Sequence, residues 1–272
     1  MNELVPLWRR ALAAEICWLD GAGEPAALAV TPLLAGDVPC VALPYARAGE
    51  VASLHEAARV AFAVTDSRSL PGGGPGRAWI GSAGRTEDSE GDFFAVELLR
   101  QELLKYPPSR ALADSPLLCR ENWWWLPRIV IRLERPVREV ELPPRTNPRR
   151  HALLVRERDG ELSLDTAEIP ESPEIRPSQV VLRRPDGGDL RGDGAGAMAL
   201  GYDYSMPDLE RWETWSLRGR LLGDRLDVTE RHGDPDAELG PLPLLERIRR
   251  QRALSRGCRR GLAGTREQEK RR

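Results

Sequence analysis

Glu121-Asn122-Trp123-Trp124-Trp125-Leu126-Pro127-Arg128-Ile129-Val130-Ile131-Arg132-Leu133 is the stretch on which the fold of this chain turns. Three consecutive tryptophans lead through Leu-Pro-Arg into a β-branched run, which predicts a strand. Strand side chains alternate, so Trp123 and Trp125 should face one way and Trp124 the other. Large indoles on both faces imply that both faces have something to cover. One is a core, and the other is a flat ligand or a second subunit. Arg128 then stands at the strand entrance with a rigid fork of donors suited to phosphate or carboxylate. The plainer alternative is a tryptophan-rich core strand with a surface arginine.

The bulk properties narrow the classes around this stretch. A chain of 272 residues is one large domain or two of about 130. Its formal net charge of -2 provides no global field for nucleic acid or an anionic membrane, so neither is expected as a partner. The basic residues are almost all arginine, with lysine only at Lys105 and Lys270, which fits GC-rich bacterial coding better than a function. Cys17, Cys40, Cys119 and Cys258 are far apart, and only His55, His151 and His232 could join them, so no metal site is expected. Dispersed cysteines, no signal peptide and no apolar run of about 18 residues point to the cytoplasm.

Outward from the focal strand, the pattern is one of short elements. Asn2–Ala14 reads as a helix, followed by strands at Glu15–Leu19, Ala26–Pro32 and Val38–Pro44 with Gly-containing turns between them. Gly49–Ala58 reads as a short helix with Val51, Leu54 and Ala58 on one face. Arg59–Thr65 and Arg77–Arg85 read as strands. Asp92–Lys105 reads as an amphipathic helix burying Phe93, Val96, Leu99 and Leu103, with Glu97, Arg100 and Glu102 outside. The acidic run Glu87-Asp88-Ser89-Glu90 with Asp92 suits a helix N-terminus better than a metal. Glu139–Arg150, with Pro143-Pro144 and Asn147-Pro148, reads as a linker. Beyond it lie strands at His151–Arg156, Leu162–Ala167, Gln179–Arg183, Met198–Tyr204, Glu213–Gly219 and Arg225–Glu230. A helix over Pro243–Leu262 follows, with Leu244, Leu245, Ile248 and Leu254 inward and a wet arginine face. Gly192-x-Gly194-x-x-Ala197 spells a dinucleotide fingerprint, but no strand core precedes it and no helix follows, so it reads as a glycine loop.

These elements define a mainly β chain with a few helices (α+β). Trp79-Ile80-Gly81-Ser82-Ala83-Gly84-Arg85 is echoed by Trp215-Ser216-Leu217-Arg218-Gly219-Arg220. The halves are either a degenerate internal repeat or short β units that match by chance.

Residues 11–142 resemble a flavin-binding split-barrel domain of the pyridoxamine 5'-phosphate oxidase-like superfamily. The resemblance rests on the order of five short stretches. These are Val38–Pro44, the short helix Gly49–Leu54, and Ala58-Arg59-Val60-Ala61-Phe62-Ala63-Val64, which is similar to the family's asparagine-proline-arginine-valine entry to a strand. Ile80–Gly84 and Trp125–Val130 complete the set. The implied fold is a split antiparallel β-barrel over 1–142, a linker at 143–150, a second β-rich domain over 151–240 that would be a degenerate second copy, and a C-terminal helix and basic tail over 241–272. The resemblance implies an oxidoreductase holding flavin mononucleotide (FMN), or a deazaflavin (F420), at a dimer seam, with hydride transfer to or from a small-molecule substrate. A homodimer or an intrachain pseudo-dimer would supply that seam. Tyr45, Arg47, Trp79, Trp124 and Arg128 are the expected lining. One departure stands out: Glu50 falls about where the family places a lysine, an acid where a phosphate would sit. That departure motivates a second hypothesis, a cofactor-free binding module. Haem is a third, with His55 as its ligand.

Overall fold

The computed structural model describes residues 3–113, 123–170 and 178–270. Helix α1 (Leu4–Arg10) leads into strands β1 (Ala14–Leu19), β2 (Pro25–Val30), β3 (Leu33–Ala35) and β4 (Val38–Pro44), then a 3-10 helix at Tyr45–Glu56. Strand β5 (Val60–Val64) and the long β6 (Gly76–Asp88) follow. A π turn at Phe94–Leu98 continues into α2 (Leu99–Lys105), with α3 (Pro108–Ala113) after it. A 3-10 turn at Trp123–Trp125 precedes β7 (Arg128–Leu142). The second half contains β8 (His151–Arg158), β9 (Glu161–Glu168), β10 (Gln179–Val181), β11 (Gly192–Tyr204), β12 (Trp212–Gly223) and β13 (Arg225–His232). Helix α4 (Leu244–Lys270) ends the described chain.

The strands form two antiparallel sheets, ordered β2-β1-β5-β6-β7-β4-β3 and β10-β13-β12-β11-β8-β9. The fold is therefore mainly β with a few helices, as the residue pattern indicated. Read from the other end, the second order is β9-β8-β11-β12-β13-β10. It repeats the first strand for strand, lacking only a counterpart of β3. The echoed tryptophans correspond: Trp79 and Trp215 are each the fourth residue of β6 and β12, and each is buried in its own half's core.

Side-chain size explains how the sheets stack. In β5, Val60, Phe62 and Val64 enter the first core beside Trp8, Ile16 and Trp18. Ala61 and Ala63 point the other way, where with Ala27 and Ala78 they let the second sheet approach. Leu153, Val155, Met198 and Leu200 fill that interface. Alternation of large and small residues thus buries β5 on both faces.

A buried polar knot pins the halves together. Glu15 Oε1 accepts from Thr65 Oγ1 (2.6 Å), Arg145 Nη2 (2.9 Å) and Tyr202 OH (2.7 Å). Arg145 comes from the stretch read as a linker. That reading needs correction, because β7 extends to Leu142 and Arg145 is buried over the Tyr202 ring at 4.1 Å.

Other expectations also shift. Trp123–Trp125 is a 3-10 turn, not the start of the strand, because Pro127 delays entry into β7. Glu121, Asn122 and Cys119 lie outside the described residues. The helix before it turns by one residue through the π segment, so Phe94, Leu98 and Glu102 are buried while Val96 is 80% exposed. Asp88 caps its start, accepting from Phe93 N (3.3 Å) and Phe94 N (2.8 Å), as the acidic run suggested. Ala58 is exposed rather than buried. The glycines from 192 onward belong to β11, with an irregular register between Asp193 and Gly196. Helix α4 runs eight residues past Leu262, and Leu244 and Leu245 stay exposed.

Candidate functional site

The site is created by two strand edges that find no strand partner among the described residues. Strand β2 ends the seven-stranded sheet, so its outer edge is unpaired. Strand β4 pairs with β3 only over Val38–Cys40, leaving Val41–Pro44 open on the same side. Between these edges lies a cleft of about 760 Å³. It is lined by Ala26–Thr31, Val41–Pro44, Trp18 and Trp125 of the first half. The opposite wall comes from Trp212, Thr214, Trp215 and Ser216 of β12, Met198 and Leu200 of β11, and His232 of β13. On β12, Trp215 and Leu217 point into the second core, so Thr214 and Ser216 lie on the other face, toward the cleft.

Three cations and three carboxylates line this cleft, and they pair. Arg47 Nε and Nη2 donate to Glu50 Oε2 at 2.9 and 2.7 Å, while Nη1 reaches Ala29 O at 3.4 Å. Arg218 lies 4.0 Å from Glu230. Arg128 is only 1% exposed, with its guanidinium over the Phe94 ring (3.9 Å) and beside the Trp125 ring (4.9 Å). Nη2 meets Glu102 Oε1 at a long 3.4 Å, Nη1 meets Pro127 O at 3.2 Å, and the buried Nε has no partner among the described residues. Ser109 Oγ also donates to Glu102 Oε1, at 2.6 Å. Burial pulls the Arg128 guanidinium below its ordinary value, against the pull of Glu102. A buried arginine using few of its five N–H groups can take an acceptor from a ligand.

The expected lining divides. Arg47 and Arg128 stand on the cleft wall. Tyr45 is buried in the first core just behind it, and Trp79 and Trp124 belong to that core rather than to the wall. Trp125 replaces Trp124 because the 3-10 turn does not alternate as a strand would. Trp18, Trp212 and His232 lacked any local signal, since their placement depends on the two sheets meeting. His55 is exposed, with Nδ1 2.5 Å from Ala52 O, and is not among the residues lining the cleft. His151 is buried and accepts from Thr146 N at 3.2 Å. Among the described residues no cluster could hold a metal, and no helix is long and apolar enough to cross a membrane.

No family model and no curated protein matches this chain. Several solved structures do, at low identity. The haem storage protein HutZ from Vibrio cholerae is 11% identical, covering 52% of this chain and 92% of its own, with a TM-score of 0.36. A haem binding protein from Mycobacterium smegmatis is 14% identical over 94% of this chain and 96% of its own, with a TM-score of 0.33. A pyridoxamine 5'-phosphate oxidase-related, FMN binding protein from Nostoc punctiforme is 10% identical over 78% and 93%, with a TM-score of 0.29. Likenesses at this level do not specify a ligand.

Proposed function

We propose that the cleft binds one flat heteroaromatic ligand of the flavin type, with the second half of the chain standing in for a partner subunit. The observation that carries this reading is a convergence: two open strand edges, an indole-rich wall and a buried guanidinium with unused donors border one cleft. A flavin-type ring has apolar faces for the indoles and a polar rim for backbone groups and Arg128. The ring portion therefore suits the residues present. When bound, such a ring supplies hydride transfer to or from a small organic substrate. The chain's own groups would orient it and exclude water. Arg128 would donate to an acceptor on its rim, and Trp125 and Trp212 would shield it.

Titration with riboflavin, FMN and a deazaflavin tests this, read by quenching of ring fluorescence. Saturable binding is expected, lost in Ser216→Trp, which fills the cleft from the second wall. Absence of binding by all three overturns the reading and leaves a cofactor-free module. His232 on the wall favours one second reading, haem. A Soret band on adding haemin that disappears in His232→Ala would replace flavin with haem.

A further inference from the structure

The charges of the cleft bear on which ring ligand it accepts. We infer that Glu50 makes the cleft select a ring ligand without a phosphate monoester, so that riboflavin binds in preference to FMN. This rests on the flavin-type reading above.

A phosphate dianion needs unpaired cations or aimed N–H groups, because desolvating it without them is costly. The arginine at the mouth formed by the 3-10 helix Tyr45–Glu56 is already paired. Arg47 is held there by Glu50, with Nε and Nη2 both on one carboxylate oxygen and Nη1 turned to Ala29 O. A phosphate reaching Arg47 must displace Glu50 or lie beside it as a like charge.

The start of that helix is also covered. Helix α4 packs against that end, where it buries Cys258. Gly257 and Gly261 allow that approach: a Cβ at Gly257 would stand 2.8 Å from Ala46 Cβ, and one at Gly261 would run into Tyr45 O. Helix α4 thus covers the turn that would cradle an anion. The other cations give no substitute. The spare donors of Arg128 lie in the interior, where the reading above gives them to the ring, and Arg218 faces Glu230. The polar rim and aromatic wall favour the ring, while the paired charges disfavour a charged tail.

The test compares riboflavin and FMN by fluorescence titration in wild type, Glu50→Gln and Glu50→Lys. Wild type should bind riboflavin about tenfold or more tightly than FMN, since like charges brought together at a binding face cost on the order of a kcal/mol or more. Glu50→Gln should narrow that ratio and Glu50→Lys should invert it, with the FMN affinity of the lysine variant falling as salt rises. Wild type that binds FMN as tightly as riboflavin overturns the inference while the ring-binding reading stands. A ratio unchanged in Glu50→Lys removes Glu50 as its cause. Wild type that binds neither removes the ring-binding reading and this inference with it.

Discussion

Lys105 joins three elements without a counter-ion. Its Nζ donates to Trp8 O at 2.9 Å and Pro32 O at 2.7 Å, linking α2 to the end of β2 and to α1. No carboxylate faces it among the described residues, and Arg9 lies on its unfavourable side. Burial brings its ammonium down to about 7. The unfolded chain keeps that proton until about pH 10.4. Between these values the unfolded state holds one more proton than the folded state, so stability should rise with pH across the window. Lys105→Met should flatten that slope in urea titrations between pH 7 and 10. An unchanged slope would show that the amine stays charged on its two carbonyls. Glu15 poses the opposite problem. Burial raises its carboxyl, and Arg145, Thr65 and Tyr202 oppose the rise. Arg145→Met strands a buried carboxylate and should cost about 3–5 kcal/mol, with the added Glu15→Gln recovering part of it. Denaturant midpoints of the single and double variants measure the recovery, and full additivity would show that the two residues do not act together.

At the scale of elements, the strands were legible wherever local alternation and turn residues decide the structure. Val60–Val64 and the hairpin at Asp20–Gly23 show this, as does Asp88 before its helix. Legibility failed where an element's phase is set from outside. Trp123–Trp125 looks like strand by composition, but Pro127 and the turn place Trp125, not Trp124, on the cleft. The π segment moves Glu102 inward, where it meets Ser109 and Arg128, and no periodicity in the sequence marks that extra residue. Helix α4 was visible as a helix, though not its docking, because the signal lies in Gly257 and Gly261, which carry no side chain. Gly261→Val should therefore loosen α4 without unfolding the sheets. It should cost about 1–3 kcal/mol and raise amide exchange along 244–264, while β5 and β6 keep their protection. Unchanged exchange in α4 would mean that the contact with Tyr45 is not what holds it.

On the scale of the whole molecule, the repeated strand order makes the chain two similar halves, and two similar halves should offer two similar clefts. The counterpart of the cleft would lie between β9 and β10 and face β5, β6 and β7. It is closed twice. Glu168 and Arg183 form an isolated antiparallel bridge that ties the end of β9 to the segment just after β10, and Arg184 reaches Asp165 at 3.2 Å beside it. On the outer side Arg138 of β7 donates to Leu162 O of β9 at 2.8 Å, bringing into contact two strands whose counterparts, β13 and β2, wall the open cleft. One half has thus kept an open split while the other has become its wall. Tyr202 and Arg145 fix the two together around Glu15. Isothermal titration with riboflavin should accordingly give one site per chain. Arg138→Ala should leave that number unchanged, because the Glu168–Arg183 bridge still closes the second split. A stoichiometry of two in wild type would show that the sealed side opens in solution and that the halves act as equals.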